Sequence, residues 1–164
     1  MKVLVISDTH KDISKVRKIL KRIKSRIDYV IHLGDHINDA LDLSYEFHDL
    51  HFECVAGNCD WFSNEDNEKC IYIDDKKFFI THGHHYGVKG STQRIALHGK
   101  KLGVDGVLFG HSHVPVNDWV DDLFLMNPGS LTQPRGYEGP SYGIITIVNG
   151  KIEGQIIEYN KIFK

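Results

Sequence analysis

The chain has 164 residues, 41% of them hydrophobic and 26% charged, a composition that suits one ordinary globular core and excludes a disordered or fibrous chain. Its formal net charge of -2 provides no general basic field to hold a nucleic-acid backbone, and no apolar run approaches the roughly 20 residues that span a bilayer. Cys54, Cys59 and Cys70 form no zinc-ribbon pair, and the N-terminus enters a strand-like segment without signal-peptide zones, so a cytoplasmic protein is expected.

Lys2 to Ile6 is a short, β-branched apolar run, as in a strand buried on both faces. Asp12 can cap a helix in which Ile13, Val16, Ile19, Leu20 and Ile23 recur at helical spacing. The basic residues between Lys11 and Arg26 then form its solvated face rather than a nucleic-acid contact. Tyr29 to Leu33 reads as a second strand, Asn38 to Asp49 as a helix and His51 to Ala56 as a third strand. This alternation predicts a parallel α/β arrangement. Ile71–Ile73 and Lys77–Thr81 flank Asp74-Asp75-Lys76 as a tight hairpin. A helix over Ser91 to Leu102 precedes the run Val104 to Phe109. Beyond it the chain reads as antiparallel strands, Pro115 to Val120, Leu123 to Met126, Tyr142 to Val148 and Lys151 to Tyr159, with a hairpin at Asn149-Gly150. No linker or repeat interrupts residues 1–164, which read as a single α/β domain.

Residues of metal-binding type follow five of these strands: Asp8 and His10, Asp35, Asn58, His82, then His111 and His113. Counted over Asp8, Asp35, Asn58, His82 and His111, the groups stand 27, 23, 24 and 29 positions apart, about one strand and its return connection each. In open α/β sheets ligands bind beyond the carboxyl ends of the strands, so all five groups can meet at one edge. Asp8 and His10, like His111 and His113, are two positions apart, which in extended chain aims both side chains the same way. Gly34, Gly57, Gly83 and Gly110 adjoin these residues and permit crowded turns. Carboxylate, imidazole and one amide oxygen together suit Mn, Fe, Ni, Zn or Co. Taken singly, each has an ordinary reading as a helix cap, a turn or a structural histidine.

Asp8-Thr9-His10, Gly34-Asp35, Gly57-Asn58, His82-Gly83-His84 and Gly110-His111-Ser112-His113 resemble, in order, the five motifs of the calcineurin-like metallophosphoesterase superfamily. The short length, Gly57-Asn58-Cys59-Asp60 and Asn127-Pro128-Gly129-Ser130 are similar to its small single-domain phosphodiesterase branch. The resemblance implies a four-layer α/β/β/α sandwich, two mixed sheets flanked by helices. It also implies two divalent ions per subunit, manganese first and Ni, Fe, Co or Zn as alternatives. One would be held by Asp8, His10, Asp35 and His113, the other by Asp35, Asn58, His82 and His111, with Asp35 and a hydroxide between them. Two divalent ions beside two carboxylates leave a positive cleft floor, suited to a small phosphate ester, a diester before a monoester. The competing class is a catalytically weak scaffold, a role the same fold has in the eukaryotic retromer coat; a scaffold has no need of all seven ligands.

Asn58, Cys59 and His84 are expected at the reacting phosphate. Many members of the superfamily carry histidine at the position of Cys59, where it is thought to protonate the leaving group. A thiol is a weak donor there, which implies slow cleavage of poor leaving groups and faster cleavage of aryl diesters; a simple packing role stands beside that reading. His84 either contacts substrate or orients His82. His85 and Tyr86 line or cover the pocket. Asn127 to Ser130 are candidates to offer backbone N–H groups, and Arg135 to reach a phosphate oxygen, against an ordinary turn with a surface arginine. His32 and His36 are read as packing or supporting residues, and His48, His51 and His98 as bystanders. Trp61 and Phe62 are either an apolar rim or core. Association of copies of the chain is left open.

Overall fold

The computed structural model describes residues 1–136 and 139–163. Alternation along β1 (Lys2–Ile6) sends Val3 and Val5 to one face and Leu4 and Ile6 to the other, and all four are buried. A strand covered on both sides must lie inside a layered structure. The chain continues through α1 (Ser14–Ile23), β2 (Tyr29–His32), α2 (Ile37–Glu46) and β3 (His51–Cys54). Next come β4 (Glu68–Ile73), β5 (Lys76–Thr81), α3 (Gln93–Leu102) and β6 (Gly106–Leu108). It ends with β7 (Val116–Val120), β8 (Leu123–Asn127), β9 (Ser141–Val148), β10 (Lys151–Glu158) and the single turn α4 (Tyr159–Ile162).

Two five-stranded mixed sheets result, ordered β10-β9-β1-β2-β3 and β4-β5-β6-β8-β7. They face each other across Val3, Val5, Ile31, Phe78, Ile80 and Met126. The outer face of the first sheet packs through Leu4, Ile6 and Val30 on Ile19, Leu20 and Leu43 of α1 and α2. Phe79 and Val107 of the second pack on Ile95 and Ala96 of α3. This is the four-layer α/β/β/α sandwich.

The parallel order β1-β2-β3 agrees with the alternation read from the sequence. The two hairpins do as well: Ile73 pairs with Lys76 across a turn in which Asp74 has φ 57°, and Val148 pairs with Lys151 across Asn149 and Gly150 at φ 50° and 71°. One expectation fails. The strands after β6 are not all antiparallel, because β8 inserts between β6 and β7 and runs parallel to β6, Gly106 opposite Phe124. Element ends also shift. α2 starts at Ile37 and stops at Glu46, β6 is only Gly106–Leu108, and α1 starts at Ser14, where the Asp12 carboxylate accepts the Ser14 N–H at 2.9 Å. No described helix is long and apolar enough to cross a membrane.

Candidate metal centre

The loops after β1, β2, β3, β5 and β6 converge. Asp8 Oδ1 lies 3.1 Å from His113 Nε2 and 3.8 Å from His82 Nε2. Asp35 Oδ1 is 3.4 Å from His82 Nε2, and its Oδ2 is 3.9 Å from His10 Nε2. His10 Nε2 and His113 Nε2 are 3.4 Å apart, and Asn58 Oδ1 is 3.2 Å from His82 Nε2. The His111 ring stands 5.1 Å from that of His82, while its backbone N–H donates to Asp8 Oδ2 at 3.0 Å. All seven sequence-derived candidates are thus gathered, although Asp8 and His113 are separated by almost two-thirds of the chain.

The backbone is strained where the convergence occurs. Asp8, His10, Lys11, Asp35, His36, His111 and His113 all have φ between 46° and 70°. Non-glycine residues avoid this region, at a cost of order 1–3 kcal/mol each, and hold it only where the surroundings impose it. The other described non-glycine residues with positive φ, Asp74, Asp121 and Asn149, are in strand-connecting turns.

The surroundings also decide which ring nitrogens face inward. A carbonyl only accepts, so the contact of His82 Nδ1 with Leu33 O at 2.7 Å puts that ring's proton on Nδ1. Gln133 O does the same for His113 Nδ1, again at 2.7 Å. In both rings the Nε2 lone pair is left pointing at the carboxylates. Asp8 Oδ1 is fully buried without a hydrogen-bond donor, while Oδ2 accepts from Ser7 Oγ at 2.6 Å. A buried carboxylate oxygen surrounded by ring lone pairs is costly unless a cation lies among them. Asp8, His10 and His113 present such a set, and so do Asp8, Asp35 and His82. The donor chemistry fits divalent transition metals.

Electrostatics point the same way. Burial pushes the Asp8 carboxyl up, but the His113 and His82 rings beside it and the Ser7 hydroxyl outweigh that, and the net shift is downward. The Asp8 carboxylate beside it raises His113 against its burial, so a proton on its Nε2 would compete with a cation there. Burial lowers His10, and burial above all takes His111 to about 4, so both rings are neutral near pH 7 and free to offer a nitrogen to a cation.

The remaining expectations divide. Cys59 sits at the site: its N–H donates to Asp35 Oδ1 at 2.9 Å and its thiol lies 3.4 Å from Asp35 Oδ2. The His84 ring lies 5.5 Å from that of His82, tilted by 50°, but its buried Nδ1 has no partner, and it is Leu33 O, not His84, that orients His82. Between Asn127 and Ser130, side chains hold the neighbouring loops. Asn127 Nδ2 donates to Gly110 O at 2.8 Å, and Ser130 Oγ donates to Asp8 O at 2.9 Å. Arg135 is exposed, its N–H bonded to His113 O at 3.1 Å. Tyr86 donates to Glu68 at 2.7 Å, away from the centre. Trp61 and Phe62 are exposed, which rules out core packing. Sequence reasoning missed Ser7 and Asp39, and named Asp60 only within the resemblance, without a role. Asp60 accepts the N–H groups of Ile37 and Gly57, both at 2.8 Å, and so sets the loop carrying Asn58; its place directly after Asn58-Cys59 was the available signal.

Residues 1–150 match the family model of the calcineurin-like phosphoesterase superfamily domain. Phosphodiesterase MJ0936 of Methanocaldococcus jannaschii is 31% identical over 183 aligned positions, covering 99% of this chain and 98% of its own length. The crystal structure of a conserved uncharacterized protein, a predicted phosphoesterase from Streptococcus pneumoniae TIGR4, superposes with a TM-score of 0.81 at 24% identity, over 97% of this chain and 90% of that one. Wild-type Vps29 from Entamoeba histolytica complexed with zinc superposes with a TM-score of 0.76 at 24% identity, over 98% of this chain and 100% of its own. At that identity the two structures bear on the fold alone.

Proposed function

The chain belongs to the calcineurin-like phosphoesterase superfamily, and from that premise we propose that it is a phosphodiesterase with a dinuclear metal centre acting on small phosphate esters. The observation that carries the reading is the buried, donor-free Asp8 Oδ1 facing the Nε2 atoms of His113 and His82. Asp8, His10, Asp35 and His113 would hold one ion, and Asp35, Asn58, His82 and His111 the other, manganese before nickel, iron, cobalt or zinc. Such a pair would supply positive charge to the phosphoryl oxygens and would lower the pKa of a water so that it can act as the nucleophile.

The chain's own groups do the rest. Leu33 O and Gln133 O keep His82 and His113 in the tautomer that offers Nε2. Ser7, Ser130 and Thr132 hold the loop of Asp8 through its side chain and carbonyl. Asn58, Cys59 and His84 line the approach to the phosphate, and Arg135 is close enough to His113 to act on its charge. We take residues 1–164 as one functional domain. Its three free cysteines suit a reducing cytoplasm.

The test is hydrolysis of bis(p-nitrophenyl) phosphate and p-nitrophenyl phosphate by metal-stripped protein, with Mn, Ni, Co, Mg and Zn added back singly. Turnover restored by metal, faster on the diester, is expected. No turnover with any metal would refute the enzyme reading and favour the scaffold.

A further inference from the structure

We propose that Trp61 and Phe62 form a subsite for a neutral aromatic group on the phosphodiester, which makes the protein selective for aryl-bearing esters without a second phosphate. This rests on the phosphodiesterase reading and adds the class of substrate.

Trp61 is 85% exposed and Phe62 entirely so, although the fold buries most of its other large apolar side chains. Two adjacent aromatics left in water contribute little to the core, and such patches mark binding sites. Their loop is not a loose one. Ala56 N–H donates to Asp66 O at 2.9 Å and closes the loop, Ser63 N–H donates to Asp60 O at 3.0 Å, and the Asp60 carboxylate ties the loop to the start of α2. A platform ordered before binding avoids much of the entropy cost of ordering it on the ligand.

The platform adjoins the reaction centre. Trp61 and Phe62 line a cleft of about 400 Å³ that also takes in Leu41, His36 and Cys59. Cys59 contacts Asp35, and the His36 ring stands 5.3 Å from that of His10, so the cleft leads away from the proposed ions. An ester substituent on a phosphorus held there would enter it. The charged lining is Asp60 and Glu65, with no lysine or arginine. Asp60 is occupied by two backbone N–H groups, and the cleft has no permanently cationic side chain to neutralise a further phosphate. A flat, uncharged ring fits; a polyphosphate does not.

Phosphonates test this without involving a leaving group. For manganese-loaded protein, calorimetry should give phenylphosphonate a Kd about tenfold below that of methylphosphonate, within the range of one aromatic contact. Trp61→Ala/Phe62→Ala should bring the ratio near one; both side chains are exposed, so the fold is not at risk. In Trp119→Phe protein, where Trp61 is the remaining tryptophan, phenylphosphonate should quench the fluorescence and methylphosphonate should not. Equal Kd values in the unaltered protein, an unchanged ratio in the double variant, or binding of neither anion overturns the proposal. An unchanged ratio with a smaller sedimenting species would mark the pair as a self-association surface instead. A tenfold ratio in protein that hydrolyses no diester would support the subsite and sink the proposed activity.

Discussion

Thr9 donates a 2.6 Å hydrogen bond to Asp39, and this bond ties the strained loop of Asp8 and His10 to the first turn of α2. Behind it lies His32, fully buried. The Gly34 N–H donates to His32 Nδ1 at 3.2 Å, so the ring's proton is on Nε2, which meets Thr9 Oγ1 at 2.9 Å. The Lys11 N–H adds a second bond to Asp39 at 2.9 Å.

Thr9→Val keeps the shape and removes the hydroxyl. It leaves the His32 donor unpaired in the interior, which costs about 1–3 kcal/mol of stability. Manganese affinity should fall roughly 10–100-fold, because the loop holding Asp8 and His10 loses its anchor. Denaturant unfolding and calorimetric titration measure the two effects; intact affinity would show that the anchor does not serve the centre.

His32 also sets a pH dependence. Burial holds its pKa down at about 4, against 6.5 in the unfolded chain. Above pH 6.5 the ring is neutral in both states and its contribution to stability is complete. As pH falls toward 4 only the unfolded state takes up the proton, and stability drops by on the order of 3 kcal/mol. Denaturant midpoints between pH 7 and 5 should fall in the unaltered protein and be flatter in His32→Gln. Parallel slopes would contradict this.

Asp35→Asn should abolish turnover more completely than His10→Ala or His113→Ala, since Asp35 stands between the two proposed ligand sets. The loss should exceed the roughly 10²–10³-fold that removing one electrostatic contact costs. Metal content by atomic absorption should fall below one ion per chain. Near-full activity would refute the bridging role.

Two glycines test geometry without replacing a proposed ligand. A methyl group at Gly57 would meet Asp35 Oδ1 and N, and one at Gly110 would meet Ser7 Oγ, with Asp8 Oδ2 at 2.9 Å. Gly57→Ala and Gly110→Ala should each cost activity roughly 100-fold, the scale of displacing a reacting group by about 1 Å. Steady-state kinetics beside a circular dichroism check for folding decides it.

Cys59→His should raise the rate on alkyl diesters about tenfold or more, by supplying a better proton donor. Burial and the Asp35 carboxylate push the present thiol up to about 11, and its hydrogen lies toward Asp35. An unchanged alkyl-to-aryl rate ratio would leave Cys59 as packing.

Much of this was legible in the chain itself. The alternation Val3-Leu4-Val5-Ile6 announces a strand covered on both faces, and Asn149-Gly150 announces its hairpin, because both signals are local and repeat within a few residues. The seven candidate ligands were readable for a related reason. Each follows the end of a strand, and parallel strands deliver their ends to one edge. The place of β8 was not readable, since a pairing partner depends on residues far along the chain, and the β7–β8 hairpin decides the direction in which β8 meets β6.

The sequence by itself determined which residue types stand at the strand ends and in what order. The tertiary structure alone decided how those residues present themselves. It turned Asp8, His10, Asp35, His111 and His113 into left-handed backbone, chose the free nitrogen of His82 and His113 through Leu33 O and Gln133 O, and left Trp61 and Phe62 in water. Tautomer, strain and exposure belong to contacts between distant segments, and spacing along one chain carries no record of them.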